Sequence, residues 1–512
     1  MKLTKSDIAE LNRRGITEEE IAKQLENFKN KFPYIKLKRP AIPGNGILLF
    51  DENKINDFIK LYESKSQLKR IKFVPASGAA TRMFKALHEF IPTFKQSGRD
   101  ISIFKKDAYK TISLFFQNIK NLAFFEDLEN KVIEITGKNV DSLLKQNKHD
   151  EIIEILLNEN GLNYSKMPKG LIKFHKYKDH SRTAFEEQIS EAIFYCQNKG
   201  NIVSNHFTVG EEFIDKFEKT LEGFYEKYKQ IYNVDLSISF SVQNPSTDTI
   251  AVDTNFEIVR NSDGSLYFHP AGHGALIENL NNIEEDLIFI KNIDNVVPLE
   301  KQVYISKYKK FLGGLLIYYK DRIVNYLNKL DTQYNEDLGK EILHFIKNEL
   351  FIEVDEKKIK DLKTFLHQKL NRPLRVCGMV KNTGEPGGGP FWVENNDGTI
   401  SLQIIETSQI NHNDRVQDLI LQSSTHFNPV DIVCNIYDYK GQKFDLKKFR
   451  DMSQGIITTK TVKNKKVYVQ ELPGLWNGSM ADWNTIFVEV PIETFNPVKT
   501  IFDLLKPVHL NS

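Results

Sequence analysis

The chain has few cysteines and no long hydrophobic segment. Its three cysteines, Cys196, Cys377 and Cys434, are far apart and include no CxxC pair. This spacing argues against a disulfide framework and fits a reducing compartment. The most apolar run, residues 311–319 (FLGGLLIYY), is flanked by lysines and is too short to cross a bilayer. The first seven residues lack the apolar core of a signal peptide. We therefore expect a cytoplasmic protein without a membrane partner.

An excess of charge of one sign is also missing. Lysine and arginine number 70, aspartate and glutamate number 68, and the formal net charge is +2. A general nucleic-acid binder needs a basic excess, so nucleic acid is not an expected partner, while a basic pocket for a small anion remains compatible. The absence of GxxxxGK[ST] argues against a P-loop NTPase, and the sequence contains no HExxH, no zinc-type cysteine–histidine cluster and no GxSxG.

The sequence does contain short strand patterns that alternate with helical ones, which predicts an α/β protein with a mainly parallel sheet. Residues 4–30 predict one helix, because apolar residues recur there at helical spacing. The predicted segments are a helical N-terminal segment (1–70), an α/β domain (71–505), two charged helical insertions within it (about 94–160 and 300–370) and a short tail (506–512).

Residues 73–85 (FVPASGAATRMFK) form a candidate phosphate loop. An apolar strand runs into Pro75, a loop of small residues follows at 76–80, and a helical pattern begins after it. Small residues let backbone N–H groups approach an anion, and a helix N-terminus favours negative charge. Arg82 adds a fixed positive charge at the same end. The alternative interpretation is an ordinary strand-to-helix turn.

Four further segments, 168–170, 271–274, 292–295 and 384–392, carry residues that suit phosphate or sugar chemistry. Lys169 follows a proline that fixes the backbone. Glycines on both sides of His273 let a flat ligand approach the main chain. Asp294 follows an apolar strand, where α/β sheets bind ligands, and can hold Mg²⁺ together with substrate phosphates. The aromatic end of GEPGGGPFW can cover a sugar ring. The structural alternatives are a solvated lysine, a tight turn, a strand-terminating turn and a flexible connection.

The order of these segments resembles the UDP-sugar pyrophosphorylase branch of the nucleotide-diphospho-sugar transferase superfamily. PASGAATRM resembles its opening loop, MPKGLI its Pro-Lys element, HPAGHGALIENL its GHG element and FIKNIDN its Asn-x-Asp-Asn strand end. SFSVQ, IIETS and FNPVK with a later DLL resemble further elements of that branch. The whole chain looks like an uncharacterised bacterial family, known as a domain of unknown function, within or near this superfamily.

The resemblance implies a Rossmann-like, GT-A-type α/β fold with a mixed, mostly parallel sheet flanked by helices. It also implies a nucleotidyltransferase whose substrates are a nucleoside triphosphate and a phosphorylated sugar, with Mg²⁺ as the cofactor. The implied sites are catalytic Arg82, Lys169 and Asp294, with Asp294 also the metal ligand; nucleotide-binding Ser77, Gly78, Ala79, Ala80, Thr81, Gln243, Gly272, His273 and Gly274; and acceptor-binding Glu406 and Lys499.

The chain departs from the family pattern at the opening loop, which has ASGAA where Gly-Gly-x-Gly is usual. Alanine at a position that requires positive φ would be strained. This departure motivates an alternative, a non-catalytic nucleotide- or nucleotide-sugar-binding protein on the same fold; a structural or interaction protein is a third class. Asp253 and Glu489 are candidates for a second metal carboxylate, although neither lies in a motif.

Overall fold

A computed structural model of the chain describes residues 3–384, 387–462 and 465–510. The helices are α1 (Lys5–Arg14), α2 (Glu18–Asn30), α3 (Glu52–Ser64), α4 (Lys85–Gln96), α5 (Lys110–Asn118), α6 (Phe125–Thr136), α7 (Val140–Lys145), α8 (His149–Leu157), α9 (Ala184–Ile193), α10 (Ile214–Tyr232), α11 (Ile277–Asn281), α12 (Leu299–Thr332), α13 (Glu336–Asn348), α14 (Leu362–Leu370), α15 (Arg415–Gln422) and α16 (Pro507–Leu510). Among these described helices, none combines the length and the apolar composition that a bilayer span requires.

The strands are β1 (Leu37–Pro40), β2 (Ile42–Pro43), β3 (Gly46–Leu48), β4 (Arg70–Pro75), β5 (Lys173–Lys176), β6 (Ser181–Thr183), β7 (Ile202–Thr208), β8 (Asp235–Ser241), β9 (Thr249–Val252), β10 (Phe268–His269), β11 (Leu287–Lys291), β12 (Leu374–Lys381), β13 (Gly389–Glu394), β14 (Ile400–Ile405), β15 (His426–Phe427), β16 (Asp431–Asn435), β17 (Ile456–Val462), β18 (Lys465–Glu471) and β19 (Asn484–Glu489).

The chain folds into two compact units. The first comprises Met1–Phe73, Ser241–Ile290 and Lys309–Ile492, and the second comprises Val74–Phe240, Lys291–Tyr308 and Glu493–Ser512. Each unit is therefore built from segments that are far apart in the sequence.

The main sheet of the first unit has the strand order β2-β3-β19-β12-β16-β11-β4. The pairs β2–β3, β3–β19, β19–β12 and β11–β4 are parallel, and β12–β16 is antiparallel. Parallel strands covered on both faces are apolar throughout, and all five residues of β11 (LIFIK) are buried. The predicted mixed, mostly parallel sheet in an α/β fold is confirmed.

The first unit also contains two antiparallel sheets, with the orders β1-β13-β14 and β10-β9-β18-β17. Strand β13 places Phe391 and Trp392 in the interior, where they are buried. The prediction that the aromatic end of segment 384–392 covers a sugar ring is therefore wrong, because these two rings pack in apolar clusters. Within that segment, Glu385 and Pro386 lie outside the described residues.

The N-terminal segment forms two helices where the sequence predicts one. Gly15 ends α1 in the left-handed conformation, with φ at 75°. Thr17 then begins α2, because its side chain accepts the backbone N–H of Glu20. A glycine after one helix and a threonine cap before the next are ordinary stop and start signals, and both lie inside an uninterrupted apolar periodicity.

The second unit contains the hairpin β5–β6, the neighbouring strands β7 and β8, and helices α4 to α10. The two charged stretches at 94–160 and 300–370 are largely helical, as predicted, and contain α5–α8 and α12–α14. Their interpretation as insertions, and the domain boundaries, remain predictions.

Candidate functional site

Two predicted site segments follow directly after strands β4 and β11 in the chain. The strands are parallel neighbours in which Phe73 lies opposite Ile290. Beyond these residues, β4 continues into the loop 76–80 and β11 continues into Asp294. Parallel strands end at a common edge, and this carboxyl edge is where α/β sheets bind ligands.

The loop 76–80 has ordinary backbone geometry. Ala79 has φ −67° and ψ 150°, and within the described ranges neither Gly78 nor Ala80 has a positive φ. A side-chain carbon added to Gly78 would meet no atom within 4 Å. None of these loop positions therefore requires positive φ, and the alanines that replace glycine in the family pattern are not strained.

The same loop exposes consecutive backbone N–H groups. The N–H groups of Ala76 and Ala80 donate to backbone carbonyl groups at 2.8 and 3.0 Å. Between them, residues 77–79 are exposed, and their N–H groups have no acceptor in the described part of the chain. The turn Ala80–Phe84 and helix α4 follow directly. Free N–H groups ahead of a helical start suit an anion.

A short antiparallel bridge holds Lys169 beside this loop. Ala79 bridges to Pro168, and the N–H of Lys169 donates to the carbonyl of Gly78 at 3.3 Å. The Lys169 ammonium lies 2.7 Å from a carboxylate oxygen of Asp294, and the two side chains are 15% and 19% exposed. The small-residue loop, the Pro-Lys element and the Asn-x-Asp-Asn element thus meet within the second unit.

The PVK segment joins the same group through the main chain. The N–H of Val498 donates to the carbonyl of Asp294 at 3.0 Å, and Pro497 bridges to Asn295. Lys499 is the next residue, and its N–H donates to the carboxylate of Asp503 at 2.9 Å. Lys499 thus follows directly after the residue whose backbone pairs with Asp294.

Helix α9 supports the end of β11 from inside the second unit. The buried Gln188 amide donates to the carbonyl groups of Asn292 and Ile293 at 2.7 and 3.2 Å. Glu191 pairs with Lys291 at 2.6 Å, and both side chains are buried. These residues were not predicted as site residues. The sequence signal that could have indicated them is the run of polar residues in α9, a helix whose other residues are mostly apolar.

Arg82 and Thr81 lie in the turn that follows the loop. The Thr81 hydroxyl donates to the carbonyl of Ser165 at 3.1 Å. Arg82 is exposed, and within the described residues no carboxylate pairs with its guanidinium. Its charge is therefore available to an anion bound at the loop.

In the first unit, the GHG turn packs closely on residues 471–477, a segment that the sequence analysis did not single out. Gly272 has φ 75°. A side-chain carbon at Gly274 would lie 2.2 Å from the carbonyl oxygen of Pro473, so only glycine fits there. The His273 ring stacks on Trp476, with centroids 4.2 Å apart and planes 14° apart.

His273 is held in one tautomer and faces Glu406. Its Nδ1 accepts the N–H of Leu475 at 3.0 Å, so a proton on the neutral ring is on Nε2. That Nε2 lies 3.6 Å from a carboxylate oxygen of Glu406. Burial raises the pKa of Glu406, but the neighbouring His273 and Asn477 outweigh burial, so the pKa lies below its ordinary value. Glu406 is thus ionised at neutral pH and suited to accept hydrogen bonds from hydroxyl groups.

Gln243 has partners of its own in the first unit. Its amide donates to Thr247 and Asp248 at 3.3 and 3.4 Å. Within the described residues no hydrogen bond joins Gln243 to His273 or Glu406. Of the predicted first-unit residues, the structure therefore brings the GHG turn and Glu406 together.

The fit of a metal ion depends on Asp294. Among the described residues, no group of three potential His, Cys, Asp or Glu ligands is arranged to hold a metal. Asp253 accepts backbone N–H groups of its own turn at 2.8 and 3.0 Å, and Glu489 faces His426 at 3.2 Å, so both candidate carboxylates are engaged. A single carboxylate fits Mg²⁺ when phosphate oxygens and waters complete the shell, and Asp294 beside the phosphate loop meets that condition.

The model of a family described as "Domain of unknown function (DUF4301)" matches residues 4–510. The chain belongs to this family. The predicted membership of a family of unknown function is thereby confirmed. A search of curated proteins found no match.

The DUF4301 chain is similar to solved structures of UDP-glucose pyrophosphorylases. A UDP-glucose phosphorylase from Trypanosoma brucei is 14% identical, with 98% of this chain and 77% of that chain covered and a TM-score of 0.46. The UDP-glucose pyrophosphorylase from Leishmania major is 12% identical over 98% and 79% of the two chains, with a TM-score of 0.44. A mutant of that enzyme in complex with UDP-glucose is 12% identical over the same shares, with a TM-score of 0.42. Because the identities and TM-scores are this low, the function of the chain has to be inferred from its own residues.

Proposed function

We propose that the protein is a nucleotidyltransferase. It transfers a uridylyl group from a nucleoside triphosphate to a sugar-1-phosphate or a similar phosphorylated acceptor and releases pyrophosphate. The observation that carries this proposal is the cluster in the second unit, where free N–H groups, Lys169, Asp294 and the PVK segment meet. Three of these features supply positive potential for phosphates, and the fourth supplies a metal-type carboxylate.

The loop and Arg82 bind the triphosphate. The N–H groups of residues 77–79 donate to phosphate oxygens, and the guanidinium neutralises charge from the helix side. The ordinary backbone of the alanines lets the loop hold this shape without strain.

Lys169 and Lys499 act on the two phosphates that react. An oxygen of the acceptor phosphate forms a bond to the α-phosphorus, and the bond from that phosphorus to the bridging oxygen of pyrophosphate breaks. This chemistry needs alignment and charge stabilisation rather than a covalent nucleophile. Lys169 turns its ammonium from Asp294 to the oxygens that gain charge, and Lys499 holds the acceptor phosphate.

Asp294 would hold the Mg²⁺ that the chemistry requires. When bound, such an ion neutralises phosphate oxygens and fixes their orientation. The carboxylate that Lys169 leaves would then have the bound ion as its partner and would not be left uncompensated at a half-buried position.

Residues of the first unit keep the roles implied by the resemblance. Gln243 and the turn Gly272 to Gly274 read the base, and Glu406 binds acceptor hydroxyls. The ionised state of Glu406 supports this role, because a carboxylate accepts hydroxyl hydrogen bonds strongly.

The alternative, a binding protein without transfer, was motivated by the departure of the loop from the Gly-Gly-x-Gly pattern. The described loop residues have no positive φ, so backbone strain does not support that alternative. The two functions make different predictions in one experiment.

The test is pyrophosphate release from the full chain with Mg²⁺, measured for each of the four ribonucleoside triphosphates against a panel of sugar-1-phosphates. We expect turnover with UTP and at least one acceptor. Lys169→Ala and Asp294→Ala are expected to lose about 10²–10³ in rate while remaining folded. Lys166→Ala is the matched control, because Lys166 lies three residues before Lys169, is exposed, and pairs with Glu159.

Nucleotide binding without turnover for any acceptor would support the binding protein instead. The absence of any nucleotide binding, or full turnover in both site variants, would refute the proposed site.

A further inference from the structure

Two neighbouring cavities of the first unit form one groove that none of the proposed site residues lines. The cavities have volumes of about 660 and 480 Å³, within the usual range for small-molecule sites. They share four lining residues, Pro33, Tyr34, Ile35 and Gln454, and are therefore adjacent. We call this feature the Tyr34 groove.

The larger half of the Tyr34 groove is aromatic. Phe32, Tyr34, Phe256 and Tyr468 are among its walls. Tyr34 is 56% exposed and Phe256 is 37% exposed, and the ring of Phe256 stacks on Tyr468 with centroids 6.1 Å apart. Two large rings thus remain open to solvent on the same side of one cavity.

Phe256 is presented to the groove at a conformational cost. Its φ is 62°, a region that residues other than glycine, asparagine and aspartate rarely adopt. The turn is held by Asp253, whose carbonyl accepts the N–H of Phe256 at 3.1 Å and whose carboxylate accepts two further backbone N–H groups. The fold therefore maintains an exposed aromatic ring in a strained conformation.

The smaller half of the groove is built on a chain of side-chain amides. Gln454 donates to Gln403 at 3.2 Å, and Gln403 donates to Asn395 at 2.7 Å. The carbonyl oxygen of Gln454 has no partner within the described residues, and the same is true of the amide nitrogen of Gln409, which lines the aromatic half. Gln409 and Gln454 are only 6% and 3% exposed. One acceptor and one donor beside the groove are thus unsatisfied, and both atoms are covered from solvent.

The charges of the groove are nearly balanced. The aromatic half contains one charged residue, Lys31. The amide half contains three basic residues, Lys36, Arg372 and Arg450, and four acidic ones, Glu394, Asp397, Asp451 and Asp482. Arg372 lies 3.5 Å from Asp482, so part of this charge is already paired. A groove of this kind does not favour a polyphosphate or a polycation.

We propose that the Tyr34 groove binds a neutral oligosaccharide. Sugar rings have apolar faces that pack on aromatic side chains, and their hydroxyl groups both donate and accept hydrogen bonds. The aromatic half supplies the ring faces, and the amide half supplies fixed donors and acceptors. With volumes of about 660 and 480 Å³, the two adjacent halves suit more than one sugar ring. This inference stands on the groove alone and does not require the proposed nucleotidyl transfer.

The probes are four neutral trisaccharides, maltotriose, cellotriose, xylotriose and tri-N-acetylchitotriose, each tested by saturation-transfer NMR and titration calorimetry on the full chain. We expect at least one to bind. Tyr34→Ala and Phe256→Asn are expected to weaken that binding about tenfold or more, since each removes a ring face from the contact. Asparagine tolerates positive φ, so Phe256→Asn removes the ring and retains the turn. Val416→Ala, which removes exposed apolar surface from α15 outside the groove, is expected to bind as the unmodified chain does.

Three results would overturn the proposal. One is the absence of binding for all four sugars at about 10 mM, well above the Kd of a weak site. Another is binding that both aromatic variants leave unchanged. The third is a change of oligomeric state on Phe256→Asn, measured by sedimentation velocity, which would make the groove an interface between copies of the chain. Unchanged unfolding midpoints confirm that each variant is folded.

Discussion

The ion pair between Lys169 and Asp294 can be tested by removing its charges one at a time and together. Lys169→Met removes the ammonium but keeps a side chain of similar length, and leaves the carboxylate of Asp294 half-buried without its partner. Breaking a fully buried pair costs about 3–5 kcal/mol, and an exposed pair contributes about 0–1 kcal/mol. With side chains 15% and 19% exposed, we expect a loss of about 2 kcal/mol in the free energy of unfolding.

Asp294→Asn is expected to cost a similar amount, because it leaves the ammonium unpaired. The double variant removes both charges, so it should be more stable than the sum of the single effects predicts, by a coupling of about 1–2 kcal/mol. Urea unfolding followed by circular dichroism measures all four corners of this cycle.

The double variant is expected to recover stability but not turnover. If the ammonium stabilises charge on the phosphates, Lys169→Met loses about 10²–10³ in rate, and the double variant remains as slow although its stability recovers. Pyrophosphate release at saturating substrates measures the rate. A double variant that regains both stability and turnover would refute the reasoning, since the pair would then be structural only.

Gly78→Val is expected to keep the unfolding midpoint, because a side chain at Gly78 enters open space, but to weaken triphosphate binding about tenfold in calorimetry by covering the loop N–H groups. Equal affinity would contradict that role for the loop. Glu406→Gln should raise the KM for the sugar phosphate about tenfold, since the acceptor loses a charged partner, and should leave the KM for the triphosphate unchanged. Equal increases in the two KM values would contradict the acceptor-binding role of Glu406. Burial lowers the pKa of His206 to about 4, so the unfolded chain binds more protons between about pH 4 and 6.5, and stability falls as the pH falls through that window. His206→Asn should flatten this slope by up to about 1.4 kcal/mol per pH unit in urea unfolding, and an unchanged slope would contradict the assignment.

Much of the local structure could be predicted from short-range patterns. Residues 400–405 (ISLQII) carry a strand-like alternation and form β14. The apolar run LIFI begins β11, because a buried parallel strand needs apolar side chains on both faces. The prediction of one helix over residues 4–30 was wrong in its continuity, because the segment forms two helices. The apolar periodicity continues across Gly15 and Thr17, and only the backbone at Gly15 reveals that the first helix ends there.

Other features depend on contacts between residues far apart in the chain. Gln188 supports the turn before Asp294 across more than a hundred residues, and Trp476 stacks on His273 across about two hundred. Neither position lies in a motif, because a hydrogen bond to a carbonyl or a stacked ring places little constraint on neighbouring residues. The same holds for the aromatic and amide walls of the Tyr34 groove, which come from stretches far apart in the sequence of the first unit.

The sequence by itself determined the α/β class, the order of the phosphate-type segments and the small-residue character of the loop, because these follow from local periodicity and side-chain size. It left open whether alanine can replace glycine in that loop. Only the tertiary structure decided this point: the pairing of Ala79 with Pro168 holds the loop in an extended conformation that any residue can adopt. It also decided which charges meet, since the partner of Lys169 lies 125 residues away in the chain and no local pattern links the two.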